Sequence, residues 1–416
     1  MLKLISSKLN SNRDLIKSFG SITLVQGLNI VLPIIYYPYL INLFGLKKYG
    51  VFLTFQAVTT IVMLVVEFGF NLSATRYISQ NINSYSKVNS AVSTVLTIKV
   101  LFFITFTIPY AIALFMIGVS IDYMLLAILT YGLLLKETFI STWYFQAKEK
   151  LVRISVLEVI TKLLLLLSVF LILNDKSDID DYVFLLFISN FVIIICVLYE
   201  IFVIDKVKYN IPKLSDIKYF IGSSKNVFVN RFLRGSLLKL NALIISYAFG
   251  PSFLTLYNLS EMVVNTLIIP INMLNQVIYP RVSRTKNTSV IIKITAILFG
   301  FSLLIVFSSN YIISTIVHLF FDSSMHGVNE IFNIIIWLLP INLINYFIGN
   351  TYLLVYNYDS YYLKSTYIGN FFYILLVILC YFFESLNIIA LSYIIVISTA
   401  ITALIRIFKV IEIERK

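Results

Sequence analysis

The sequence is short of almost everything that soluble enzymes rely on. It has two cysteines and two histidines in 416 residues, and only 12% of its residues are charged. An ordinary soluble domain carries about 25% charged residues. Cys196 and Cys380 both lie in apolar runs and read as small buried hydrophobes, which leaves no disulfide framework. His318 and His326 fall in a predicted outer loop without a nucleophile or metal partner. No His/Cys/Asp cluster has metal-ligand spacing, and no Gly-rich loop ends in Lys-Ser or Lys-Thr, so neither a metal, a cofactor nor an ATPase of the chain's own is expected. The longest predicted outer loop, Asn174 to Asp181, holds Asp175, Asp178, Asp180 and Asp181 but has no room for a catalytic domain. The chain therefore does not read as an enzyme.

What the sequence does have is apolar side chain: 59% of residues are hydrophobic and the mean hydropathy is +0.92. A water-soluble core cannot absorb that much, so most of the molecule is solvated by lipid. The apolar stretches are continuous (Ile160 to Leu173, Ile331 to Pro340) rather than alternating, which excludes a β-barrel. Twelve spans are read at about 19–44, 51–70, 91–117, 121–142, 154–173, 183–204, 221–249, 253–279, 291–319, 331–356, 362–383 and 388–409. The N-terminal arm carries Lys3, Lys8, Arg13 and Lys17 before an apolar stretch too long for a cleavable signal. Most of the 32 Lys and Arg fall in alternate loops, while the other loops hold only Lys47, Lys48 and Lys176. This bias places both termini in the cytoplasm. The net charge of +12 is then a topology signal, and nucleic acid is not a partner.

A spacing recurs in the chain. Ser18, Phe44-Gly45 and Arg76 return 205 positions later as Ser223, Phe249-Gly250 and Arg281. The longest inner loop, Asp205 to Lys218, is basic and contains Pro212, where a six-plus-six duplication needs a linker. The expectation is an all-α membrane protein of two pseudo-symmetric six-helix bundles, 1–210 and 211–416, meeting around a central path.

Several residues do not belong in hydrocarbon. Prolines interrupt spans at Pro33 and Pro38, Pro109, Pro270 and Pro340. Pro33 and Pro38 in the opening span are the hinge candidates. Lys99, Lys136, Lys162, Arg231, Arg234 and Lys239 lie inside spans, accompanied by Glu67, Glu137, Glu158 and Glu261. A charge at mid-bilayer costs about 2.5–3.5 kcal/mol on the insertion scale, so each must face protein, water or a ligand. Glu158 and Lys162, one turn apart, suit an ion pair on one helix face. Lys136 suits snorkelling to the inner surface.

In the seventh span Asn230, Arg231, Arg234 and Asn241 share one side, with Lys239 at its margin. In the eighth, Asn258, Glu261, Asn265, Asn272 and Asn275 form one stripe. The second span has a weaker stripe, Gln56, Thr60, Glu67 and Asn71, and the tenth has Asn342, Asn345, Gly349, Tyr352 and Tyr356. Interhelical hydrogen bonding and the wall of a wet cavity both fit such stripes. A cavity of amides, tyrosines and fixed cations suits a sugar-phosphate head whose lipid tail stays in the bilayer. Arg231, Arg234, Lys239, Lys99 and Arg76, with Asn258, Asn265 and Asn272, are the candidate substrate contacts. Glu261 and Glu67 are candidates for carrying a coupling ion.

Four strings then carry a resemblance. They are Leu43-Phe44-Gly45 followed by Tyr49-Gly50; Glu67-Phe68-Gly69-Phe70-Asn71-Leu72-Ser73-Ala74-Thr75-Arg76; Trp143-Tyr144-Phe145-Gln146-Ala147 before Glu149-Lys150; and Tyr279-Pro280-Arg281. Through these the chain resembles the O-antigen and capsule repeat-unit flippases (Wzx type) of the multidrug/oligosaccharidyl-lipid/polysaccharide (MOP) exporter superfamily. The likeness is closest in the N-terminal half, where Glu67 stands at a position more often Asp in that family. It implies twelve helices in two bundles forming a MATE-like V and alternating access. It also implies cargo of undecaprenyl-pyrophosphate-linked oligosaccharide, carried from the cytoplasmic to the periplasmic leaflet of the bacterial inner membrane. Polymerase and chain-length proteins of the lipopolysaccharide pathway are the implied partners. The competing readings are a cation-coupled multidrug exporter of the same superfamily and a polysaccharide polymerase or ligase.

Overall fold

The computed structural model describes residues 2–118, 120–285, 288–320, 327–356 and 358–414. Side chains are described from residue 32 onward, apart from a set that includes Pro33, Asn230, Arg234 and residues 276–281 and 283–290. Among the described residues every regular element is a helix. In chain order these are α1 (Leu2–Glu67), α2 (Phe70–Gln80), α3 (Tyr85–Thr105), α4 (Thr107–Ile117), α5 (Met124–Gly132), α6 (Leu134–Phe139), α7 (Thr142–Ala147), α8 (Leu151–Ile172) and α9 (Ile179–Tyr199). They continue with α10 (Leu214–Phe249), α11 (Pro251–Thr285), α12 (Thr288–Phe307), α13 (Ser309–Phe320), α14 (Val328–Ile335), α15 (Leu338–Ile344), α16 (Asp359–Phe382) and α17 (Ile388–Glu414). π-helical turns extend α9 (Glu200–Ile204) and α15 (Asn345–Leu353).

Among the described residues ten stretches are long and apolar enough to cross a bilayer, and the bent pair Ile291–Phe307 with Ser309–Leu319 makes up to 11. The first of them, Ile35–Gln80, holds parts of both opening spans, because α1 runs through both. All twelve segments read from hydropathy thus have a helical counterpart. The protein is an all-α, multi-pass membrane protein.

Proline placement explains two of the breaks. The third span breaks at Phe106, and Pro109 lies in the first turn of α4, where its missing N–H would be unpaired anyway. Pro340 occupies the same kind of position in α15. In α1 the backbone stays helical through the buried Pro38 and leaves helical geometry at Gly45, with φ 76° and ψ 163°. Pro33 lies outside the described side chains.

The chain divides into two compact units, one of Met1–Gly45 with Phe52–Lys239 and one of Leu46–Val51 with Leu240–Lys416. The division falls within α10. In the first unit α1 ends at Glu67, and Phe68 (φ 42°) and Gly69 (φ 77°) turn the chain into α2. A Cβ at Gly69 would stand 2.8 Å from Val227 Cγ1 and 3.1 Å from the Phe228 amide nitrogen. Only glycine lets α10 approach this closely. The contact is completed by Phe68 stacked on Phe228 at 4.4 Å between ring centres and by Ser73 and Ser224 hydroxyls 2.5 Å apart.

The Trp143-Tyr144-Phe145 string forms α7, whose three rings are buried in a core with Phe70, Val92 and Val197. Its charged tail ends on Asp205. The Asp205 carboxylate accepts from Tyr144 Oη at 2.8 Å and from Lys150 Nζ at 2.6 Å, with Lys148 Nζ at 3.4 Å. Glu200 takes Arg153 at 2.6 Å. Burial works to raise the Asp205 pKa. The Lys150 and Tyr144 hydrogen bonds and the two lysine charges outweigh it and hold the carboxyl below its ordinary 3.8. A carboxyl depressed in the folded state stabilises at neutral pH, and that stabilisation is lost as pH falls through the folded value. Asp205→Ala should therefore cost about 1.5–3 kcal/mol at pH 7, because it removes charged hydrogen bonds and leaves Lys150 only Glu200, at 3.9 Å. The difference from the parent protein should shrink below about pH 4. Thermal midpoints at pH 7 and pH 3.5 check both statements.

In the second unit Gly250, with φ 100°, makes the turn between α10 and α11, as Gly45 does 205 residues earlier. Thr255 Oγ1 donates to the Leu46 carbonyl at 2.8 Å, and a Cβ on Gly50 would run into the Pro251 carbonyl. Under the 205-residue shift Leu46 maps on Pro251 and Gly50 on Thr255, so each contact is the image of the other. The relation is broken further along. Phe68-Gly69 interrupts the first copy, whereas α11 runs unbroken from Pro251 to Thr285.

Candidate functional site

The buried charges of the first unit collect around the end of α1. Glu67 Oε2 pairs with Arg231 Nη2 of α10 at 2.9 Å; the carboxylate side chain is 12% exposed and the guanidinium side chain 41%. Glu67 Oε1 accepts from Asn71 Nδ2 at 3.3 Å, and Asn71 Oδ1 accepts from Thr142 Oγ1 at 3.1 Å. Close by, Thr75 Oγ1 donates to the Trp143 carbonyl at 3.2 Å and joins two of the sequence strings directly. The acid is enclosed, while the Arg231 side chain is only partly covered.

Lys99 is buried, and its ammonium donates to the carbonyls of Glu137 and Ile140. Glu137 lies in the last turn of α6 and Ile140 is the extended residue that follows it, so both carbonyls belong to the helix end. Lys99 therefore neutralises a helix end. Glu158 pairs across helices with Lys136 at 3.2 Å, which corrects both the expected Glu158–Lys162 pair and the expected snorkelling of Lys136. Helical spacing identifies neighbours on one helix only, and the partner here comes from another helix. Lys239 is half-buried, and Arg76 is exposed on α2. The side chain of Arg234 lies outside the described residues.

In the second unit the α11 stripe passes from open to enclosed. Asn265 is exposed, Asn258, Glu261 and Asn272 are half-buried, and Asn275 is buried and accepts from Thr351 Oγ1. Asn241, read on the same polar side as Arg231, is instead buried, with Tyr373 Oη donating to its Oδ1 at 2.8 Å. The reason is the passage of α10 between units: one helix side meets different surroundings before and after residue 239. Among the described residues no group of three or more His, Cys, Asp or Glu could hold a metal ion.

Sequence reasoning missed one buried cation. Arg406 of α17 sits inside the last span, yet it is not among the six basic residues read inside spans. Its guanidinium donates to Ser365 Oγ at 3.0 Å, Thr366 Oγ1 at 2.8 Å and Asn345 Oδ1 at 3.0 Å, and lies 4.3 Å from the Tyr362 ring centre. Its position on a span, 10 residues from the chain end, was the available signal.

The sequence profile of the family described as "Polysaccharide biosynthesis protein" matches residues 15–286. A protein of Escherichia coli (strain K12) named "Putative O-antigen transporter" is 26% identical over 284 residues, covering 67% of this chain and 66% of that protein. The match thus spans just under two thirds of that relative's length. Among solved structures, an inward-facing multidrug resistance MATE family transporter of the MOP superfamily has a TM-score of 0.70 at 14% identity, covering 94% of this chain and 95% of its own. The lipid II flippase MurJ in an inward closed conformation has a TM-score of 0.65 at 17% identity, covering 94% and 87%. Both likenesses extend over 94% of this chain and show that it shares the helical fold of these two structures. With a family profile that covers more than half of its length, this chain belongs to the polysaccharide biosynthesis protein family.

Proposed function

We propose that the protein is a lipid-linked oligosaccharide flippase of the bacterial inner membrane, with both termini in the cytoplasm. Its cargo is an undecaprenyl-pyrophosphate-linked O-antigen or capsule repeat unit, moved to the periplasmic leaflet by alternating access of two six-helix halves, 1–210 and 211–416. The observation that carries the reading is Arg231, a guanidinium inside a membrane span and only partly covered by its carboxylate partner. A guanidinium can grip phosphate oxygens through two parallel hydrogen bonds, and in a low-dielectric setting that grip strengthens. In this reading Arg231, Arg234 and Lys239 take the pyrophosphate. Lys99, already occupied by helix-end carbonyls, holds the scaffold. Arg76, exposed on α2, meets the head group first. Asn258, Asn265 and Asn272 offer amides to sugar hydroxyls, and Glu261 or Glu67 carries any coupling ion.

The second reading, export of drugs, rests on the fold shared with the MATE transporter. In this reading Arg231, Arg234 and Lys239 outnumber the one carboxylate paired with them, and such an excess of positive charge repels the organic cations such exporters take. A deletion strain separates the two. The flippase reading expects surface polysaccharide to disappear with drug susceptibility unchanged; retained polysaccharide with heightened sensitivity to cationic drugs would reverse the assignment.

A further inference from the structure

The tenth span contains a nine-residue π-helical stretch, Asn345–Leu353. Pairing each N–H with the carbonyl five residues back widens the helix and opens its axis, so such stretches are rare, short and found mostly at functional sites. A stretch this long needs support from outside, and α17 supplies it at both ends. At the start, Arg406 Nη1 donates to Asn345 Oδ1 at 3.0 Å and to the Asn345 carbonyl at 3.4 Å, while Asn345 Nδ2 donates to the Thr399 carbonyl at 3.5 Å. At the far end, Tyr352 Oη donates to Glu414 Oε1 at 2.5 Å. In the middle, a Cβ on Gly349 would stand 2.6 Å from Arg406 Nη1, so glycine leaves the guanidinium its place. Arg406 and Glu414 are eight residues apart on α17, about 12 Å along its axis, and clasp a segment of similar extent.

We infer that Arg406 and Glu414 are positioning residues that hold the tenth span in its π form. Relaxation to α-helical pairing would shift the segment by one residue, about 100° of rotation. That would change how Asn342 and Asn345 are aimed relative to Tyr352 and Tyr356, the polar face of this span. The role of that face in transport rests on the flippase reading; the clasp itself does not.

Amide hydrogen exchange on the purified full-length protein, alongside repeat-unit export in a strain lacking its own exporter, tests the inference. The variants are Arg406→Gln, Gly349→Ala and, because Arg406→Gln also removes core hydrogen bonds, the milder Tyr352→Phe and Glu414→Gln. Exchange across 345–356 should rise about tenfold or more, with amides of α3, in the other unit, unchanged. Export should fall about tenfold at unchanged membrane level. Unchanged exchange in Tyr352→Phe and Glu414→Gln overturns the clasp whatever export does. Raised exchange with full export overturns the positioning role and leaves the flippase reading intact. If the parent protein exports nothing, the flippase reading fails, and the exchange data alone decide the clasp.

Discussion

Replacing Arg231 by alanine should lower repeat-unit export about a hundredfold while the protein still reaches the membrane. The magnitude follows from losing two charge-assisted hydrogen bonds to a phosphate, each about 1.5–3 kcal/mol where water is scarce. The variant also strands Glu67, whose side chain is only 12% exposed, and an unpaired carboxylate inside a span is itself destabilising. The double variant Arg231→Ala/Glu67→Gln separates the two effects. It removes the stranded charge, so thermal stability should recover while export stays absent. Arg231→Lys keeps the charge but loses the fork, and intermediate export is expected. Export is read from surface polysaccharide and stability from the thermal midpoint of purified protein. Export that recovers together with stability in the double variant would make Arg231 a structural counter-ion and nothing more.

Gly69→Ala should be the most damaging small substitution in the first unit. The backbone there has φ 77°, which costs an alanine about 1 kcal/mol or more. Its methyl group would also press on Val227 and on the backbone of Phe228, which a rigid helix cannot move aside. About 3 kcal/mol of destabilisation is expected in all. Export should fall with it, since Arg231 lies one turn beyond Phe228 on the same helix. A second change, Val227→Gly, removes both side-chain clashes, Cγ1 at 2.8 Å and Cβ at 2.9 Å, and should restore part of the thermal midpoint while leaving the backbone strain. A Gly69→Ala protein with the parent's thermal midpoint would mean that α10 does not pack on this turn as closely as described.

Much of the architecture was legible because it depends on long-range averages of hydropathy and on glycine. The spans follow from apolar runs long enough to cross lipid. The 205-residue repeat marked Gly45 and Gly250, both of which adopt positive φ, and it relates the Leu46–Thr255 and Gly50–Pro251 contacts. The family strings were legible as likeness but not as mechanism. Glu67 to Arg76 is a helix break fitted to α10, and Trp143 to Lys150 is an anchor for Asp205. Partners across helices were not legible. Glu158 chose Lys136 over its own-helix neighbour Lys162, and Lys99 found the end of α6, whose position no periodicity reveals. Asn241 misled because the side of a helix has no fixed environment when the helix serves two units.

The most direct test is binding of a polyprenyl pyrophosphate, compared with the polyprenol of equal chain length, to purified parent protein and to the Arg231→Ala/Glu67→Gln variant. A membrane-depth guanidinium that recognises an anionic head predicts a preference of about a hundredfold for the pyrophosphate in the parent, reduced to a few-fold in the variant. Equal affinity for both lipids, or an undiminished preference in the variant, would contradict the account.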